Sequence, residues 1–164
     1  MAKAYIGLGA NLGDPPAQLH QALDALATTA GVRLLGQSRF YRSTAIGLAG
    51  QPDYCNAACV VETQLSPEIL FERLLMIEQA AGRVRDGTRW GPRTLDLDLL
   101  HYEGVACDTP WLRLPHAEIA RRNFVLVPLL EIAPDLVLPE LGLVRLLAAA
   151  AGRAGLSVWP VVNR

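Results

Sequence analysis

The sequence predicts an α+β domain, and three observations carry that prediction. At 164 residues, 51% hydrophobic and only 19% charged, the chain can bury one core without disulfides or a structural metal. Strand and helix signals alternate along it, punctuated by glycine and proline. No repeat, low-complexity run or long linker divides it, so residues 1–164 are expected to form a single domain. The formal net charge of -1 argues against general nucleic-acid binding. Apolar stretches are short or broken by charge, and Met1 to Tyr5 lead straight into a strand pattern. Neither a signal peptide nor a membrane span is expected, and a cytoplasmic monomer is the expectation.

Each element has its own signal. Ala4 to Leu8 reads as a first strand, followed by the turn-rich Gly9 to Pro16, where Asp14 can cap a helix with Pro15 in its first turn. That helix should reach Thr29, burying Leu19, Ala22, Leu23, Leu26 and Ala27 at helical spacing, with Gly31 just past its end. Val32 to Arg42 reads as one strand. Ser43 to Pro52 has neither period and reads as a loop of about ten residues, longer than most. Cys55 to Thr63 resumes a strand. Ser66, Pro67 and Glu68 then supply an N-cap, a proline at the first helical position and an acid in the first turn. On that helix Ile69, Leu70, Arg73, Leu74, Ile77 and Ala81 are spaced to pack one face, with Glu72, Glu78 and Gln79 nearer the rim or opposite side, and Gly82 ends it. Leu141 to Arg164, an alanine-rich helix and then S-V-W-P-V-V, reads as structural packing. Cys55 and Cys59 would stand about 13 Å apart on a strand and cannot pair there. Cys107 has no neighbour at metal-ligand spacing, so all three cysteines read as small buried or half-buried side chains. The glycines of G-L-G-A-N-L-G at Gly7 do not match a dinucleotide fingerprint and read as turn and close-packing residues.

The chemistry concentrates after residue 82. Arg83 to Arg93, R-V-R-D-G-T-R-W-G-P-R, is a basic loop with one tryptophan and one acid. Thr94 to Tyr102, T-L-D-L-D-L-L-H-Y, alternates so that Leu95, Leu97 and Leu99 face one side of a strand and Asp96 and Asp98 the other. Same-face neighbours are about 6.5 Å apart, close enough for two carboxylates to share a hard cation. One reading is a solvated strand face. The other starts from aspartate being poor strand material and arginine forks matching phosphate oxygens. Carboxylates for Mg²⁺ beside arginines for phosphate would make a polyphosphate site.

At these residues the likeness becomes specific. R-W-G-P-R-T-L-D-L-D-L-L, from Arg89, resembles the signature of the 6-hydroxymethyl-7,8-dihydropterin pyrophosphokinases. It extends over nearly the whole chain: A-Y-I-G-L-G-A-N-L-G-D at Ala4, F-Y-R-S at Phe40, Q-P-D-Y-C-N-A at Gln51, G-R-V-R at Gly82, L-P-H at Leu114 and R-N-F-V-L-V-P-L-L-E-I-A-P at Arg122. The resemblance implies a ferredoxin-like α+β fold, an antiparallel sheet with helices packed on it. It implies transfer of the β,γ-diphosphate of ATP to the pterin hydroxymethyl oxygen in folate biosynthesis, giving AMP.

Residue by residue, the resemblance makes Asp96 and Asp98 ligands of two Mg²⁺ ions bridging ATP and acceptor. Arg83 and Arg93 join them as catalytic groups on the triphosphate. Arg122 and His116 are further phosphate contacts, and Arg85, Leu99 and Trp90 are assigned to the nucleotide, with Trp90 closing over it. Tyr54 and Phe124 match the aromatics that sandwich the pterin, and Asn56 an amide that reads its edge. Ser43, Thr44 and Ile46 lie in the loop that supplies backbone contacts to the ring, and Glu78 and Trp90 match positions near the site. Outside this pattern a lone histidine such as His116 reads as structural, as do His20 and His101, and an aromatic reads as core. No general base stands out, which implies metal activation of the hydroxyl. The loops Thr44–Pro52 and Arg83–Pro92 are expected to close over bound substrates. Asp86, Ala117 and Trp111 depart from the family pattern. The alternatives are another metal-dependent phosphatase or nuclease, and a non-catalytic nucleotide-binding module.

Overall fold

The structure, a computed structural model, describes residues 1–44, 53–82 and 95–160. Ile46, Arg83, Arg85, Trp90 and Arg93, with most of the two loops expected to close, lie outside the described residues. The central sheet is antiparallel throughout. Its middle strands are β1 (Ala2–Ala10) and β4 (Tyr54–Thr63), with β5 (Asp96–Tyr102) on the free side of β1. On the far side of β4, β2 (Val32–Gln37) and β3 (Tyr41–Ser43) share one edge, and β10 (Leu156–Val158) pairs with β3. With helices α1 (Pro15–Ala27) and α2 (Pro67–Ala80), the order β5, β1, β4, β2 is that of a β-α-β-β-α-β core. This is the α+β, antiparallel arrangement expected.

The caps are where sequence chemistry puts them. Asp14 accepts the Ala17 N–H at 3.2 Å ahead of Pro15, and Ser66 accepts that of Ile69 at 3.2 Å ahead of Pro67, each satisfying an otherwise orphan donor. Helix α1 buries Leu19, Ala22, Leu23 and Leu26 but stops at Ala27, which is exposed. The hydroxyls of Thr28 and Thr29 bond back to carbonyls of its last turn. On α2, Leu70 and Leu74 are buried as expected, while Ile69 is 40% exposed.

The two faces of the sheet hold separate clusters. Ala4, Ile6, Leu8, Cys55, Cys59, Val61, Leu97 and Leu99 pack against α1 and α2. Tyr5, Val60 and Leu100 face α3 (Asn123–Ile132) and α4 (Val144–Ala151). Two short hairpins add to these clusters: β6 (Cys107–Asp108) with β7 (Arg113–Leu114) on the first, and β8 (Val137–Leu138) with β9 (Gly142–Leu143) on the second. The expected single strand from Val32 to Arg42 is broken. Ser38, Arg39 and Phe40 lie opposite only Ala57 and Ala58 of β4. There Ser38 bonds Ala58 twice, through its N–H at 2.8 Å and its hydroxyl at 2.9 Å. A side chain thus replaces a ladder partner, and the bulge restarts the register. The first strand runs further than expected, through Gly9 and Ala10, because β5 pairs with it as far as Gly9 and β4 as far as Ala10.

Candidate active site

Side chains alternate across a strand, so register decides what meets on the α3 face of the sheet. Gly9 of β1 pairs with Asn56 of β4 on one side and Asp96 of β5 on the other. Gly7 likewise lies between Ala58 and Asp98. The strand between the aspartates and the amide therefore offers bare backbone, and a cavity of about 380 Å³ opens above it. Asp96 and Asp98 lie on its β5 side, Asn56 and Tyr54 on its β4 side and Ser43 and Thr44 at the exit of β3. The start of α3, Arg122 to Val125, walls it from above, with Ala154 and Gly155 closing the end. Eight of the residues singled out from sequence thus converge: Ser43, Thr44, Tyr54, Asn56, Asp96, Asp98, Arg122 and Phe124.

Polar contacts fix the groups around this space. Asn56 is buried, and its Oδ1 accepts the Ser43 hydroxyl at 2.6 Å, so the amide is held by its oxygen. Glu78, expected near the rim of α2, is instead 5% exposed, and its Oε2 accepts the Leu97 N–H at 2.7 Å. That contact lies midway between the two aspartates on β5, which has β1 as its one strand neighbour among the described residues and so presents backbone groups with no ladder partner there. The Arg122 guanidinium stands 5.7 Å from the centroid of the Phe124 ring, within cation–π range.

Two assigned residues lie elsewhere. The Leu99 side chain is buried on the opposite face with α1 and α2, so only its backbone can address a ligand. His116 lines a neighbouring cavity of about 330 Å³ with Asp108 and Arg113. Its N–H donates to the Leu100 carbonyl at 2.9 Å and its Nδ1 accepts the Glu118 N–H at 3.2 Å, which leaves Nε2 to carry the proton. His101 is buried against Tyr5, with ring centroids 6.0 Å apart, and burial lowers its pKa, in keeping with a structural role. The Cys55 and Cys59 thiols, both buried, are pushed up by burial to about 12, which makes them packing groups rather than nucleophiles. Sequence reading missed Gly7 and Gly9 as the cavity floor, Asn123 in its wall and Ala154 and Gly155 at its end. The glycines were the one legible signal, since glycine inside a strand marks a close approach.

The donor set suits a hard dication. Two half-buried carboxylates share one face of β5, beside glycines that present no side chain, and all-oxygen ligation with few protein ligands is what Mg²⁺ takes.

A family model described as 7,8-dihydro-6-hydroxymethylpterin-pyrophosphokinase (HPPK) matches residues 5–134. The chain belongs to this family. Among its relatives are proteins named 2-amino-4-hydroxy-6-hydroxymethyldihydropteridine pyrophosphokinase. The one from Methylorubrum extorquens is 49% identical over 138 residues, 84% of this chain and 87% of the relative. That from Synechocystis is 44% identical over 160 residues, 96% and 80% of the two chains. The folic acid synthesis protein fol1 of Schizosaccharomyces pombe is 38% identical over 136 residues, 83% of this chain but 18% of that one. The fold is similar to a crystal structure of Plasmodium falciparum HPPK-DHPS with SDX-DHP, with a TM-score of 0.68 at 12% identity over 92% of this chain and 43% of that longer one. The chain is thus a pterin pyrophosphokinase of folate biosynthesis, an ATP-dependent transferase with a ferredoxin-like α+β fold. Among the described residues no helix is long and apolar enough to cross a membrane.

Proposed function

We propose that the cavity over Gly7 and Gly9 is where the β,γ-diphosphate of ATP passes to the hydroxymethyl oxygen of 6-hydroxymethyl-7,8-dihydropterin, leaving AMP. The observation that carries this reading is the register at Gly9. It sets a buried carboxamide and an acidic side chain on either side of one bare residue, so an acceptor held by Asn56 reaches toward Asp96.

In this reading Tyr54 and Phe124 stack on the two faces of the pterin, and Asn56, oriented by Ser43, reads its edge. Ser43, Thr44 and Ile46 complete the acceptor pocket. Asp96 and Asp98 would hold two Mg²⁺ ions. Bound there, the ions would neutralise phosphate charge and lower the pKa of the attacking hydroxyl. Arg83 and Arg93 balance charge developing on the transferred group, because guanidinium forks match phosphate oxygens in a site that excludes water. Arg122, Arg85 and Trp90 hold the nucleotide, with His116 offering its Nε2–H to a phosphate and Leu99 its backbone edge. The chain acts as a single domain and a monomer in the cytoplasm, with small molecules as its partners. Two hydrophobic clusters sharing one sheet support the single domain.

The test is a product assay with ATP, Mg²⁺ and the pterin. AMP formed only with both metal and pterin supports diphosphoryl transfer, whereas ADP would refute it, and metal-dependent release of free phosphate would point to a phosphatase. Asp96→Asn and Asp98→Asn should each lower kcat by about 10²–10³-fold or more.

A further inference from the structure

The matched family span ends at residue 134, yet Ala154 and Gly155 line the cavity. Their consecutive carbonyls tie its two sides together. The Ala154 carbonyl accepts Asn123 Nδ2 at 3.0 Å; Asn123 opens α3 and precedes Phe124. The Gly155 carbonyl accepts the Thr44 N–H at 3.2 Å. From the next residue the chain pairs with β3, Leu156 opposite Ser43, and Ser43 holds Asn56. Among the described residues no side-chain hydrogen bond caps the N-terminus of α3, so the Asn123 tether bears on how that end is held.

Position 155 accepts little but glycine. Its φ is +73°, and a Cβ there would lie 3.0 Å from Thr44 Oγ1, so both the conformation and the close approach call for a missing side chain.

We infer that Ala154–Gly155 is a crossbar that sets the spacing between the Phe124 wall and the Ser43–Asn56 wall, and so fixes affinity for the pterin. It is a positioning element, acting through residues that touch the ring, and it rests on the reading of this cavity as the acceptor site. The physical reason is the steepness of stacking. A gap of 0.5–1 Å on one face of a flat ring forfeits roughly a quarter to a half of its dispersion contact. The crossbar therefore acts on the acceptor more than on ATP, because of the proposed ATP contacts only Arg122 shares the tethered start of α3 with Phe124.

The experiment compares Gly155→Ala, Asn123→Ala and Phe124→Ala with the parent enzyme. It measures KM for pterin and for ATP, pterin binding with an unreactive ATP analogue and Mg²⁺, and thermal melts. Gly155→Ala and Asn123→Ala should each raise KM and Kd for pterin about tenfold, with KM for ATP and kcat at saturation within about threefold of the parent. Adding Thr44→Ala to Gly155→Ala should recover part of the loss by removing the 3.0 Å contact. Asn123→Ala changes a side chain at the exposed edge of the site and serves if Gly155→Ala folds poorly. Unchanged pterin affinity in the folded variants, or pterin and ATP KM rising together with a fall in Tm, would overturn the crossbar. Phe124→Ala separates the two levels of the argument. If it weakens pterin and the crossbar variants do not, only the crossbar fails; if it too leaves pterin binding unchanged, the acceptor-site reading fails.

Discussion

Replacing Gly9 by alanine should weaken pterin binding with little effect on stability. A Cβ at this position would lie 3.2 Å from Asn56 Nδ2, inside ordinary van der Waals contact, so the amide must shift by a few tenths of an ångström. It cannot shift freely, because its Oδ1 is held by the Ser43 hydroxyl at 2.6 Å and both residues are buried. Either that bond lengthens, or the amide pivots about it and presents Nδ2 at the wrong angle. One buried polar group left badly paired against the bound ring costs about 1–3 kcal/mol, a loss of about 5- to 150-fold in affinity. In the free protein the strain is offset, since glycine inside a strand is itself unfavourable by roughly 0.5–1 kcal/mol relative to alanine. Pterin titration alongside thermal melts reads both effects. Gly7→Ala is the internal control on the same strand, because the nearest atoms to its Cβ belong to the Leu100 side chain, at 3.4 Å or more. Pterin affinity within twofold of the parent in Gly9→Ala, or an equal loss in Gly7→Ala, would refute the reasoning.

Three further outcomes are expected. Glu78→Leu removes the acceptor from the Leu97 N–H, so it should cost about 1–3 kcal/mol in urea unfolding and lower kcat, while Glu78→Gln, which keeps an oxygen there, should retain most of both. Burial raises the Glu131 pKa, but hydrogen bonds from Tyr41 and Arg39 outweigh it and hold the carboxyl below 4.5. Its contribution to stability is therefore full above that value and is lost as pH falls through the depressed one. Melts of Glu131→Gln should show a shallower loss of Tm on acidification below pH 4.5 than the parent. With the Cys55 and Cys59 thiols near 12, on the order of one in ten thousand is thiolate at pH 8. A thiol reagent should then titrate Cys107 in the native protein and all three cysteines in denaturant; rapid native reaction of all three would contradict the burial.

What sequence could reveal tracks how local the physics is. Asp14–Pro15 and Ser66–Pro67 were legible because a cap needs only its own first turn. The D-L-D alternation was legible because period two is a property of the strand itself. The broken strand at Ser38 was not, since its bulge depends on Ala58 across the sheet. Glu78 looked like a rim residue on a helix wheel, and only the edge of β5 explains its burial. Helix α3 carries apolar residues on all sides with Pro128 inside it, so no amphipathic period announces it. Gly7 and Gly9 stand out in the sequence, but their partners, Ala58 with Asp98 and Asn56 with Asp96, emerge only from register. Ala154 and Gly155 carry no functional side chain, and their part is played by carbonyls.

The pairing of Leu156 with Ser43 also orders events during synthesis. The strand that bears Ser43 is made first, the aspartates follow, and the segment that closes the acceptor cavity emerges after both. A nascent chain halted before Gly155 could have its central strands paired and its carboxylates placed while the end of the pterin slot stood open. Complete acceptor binding therefore waits until Gly155 has been made, after every other residue that lines the cavity.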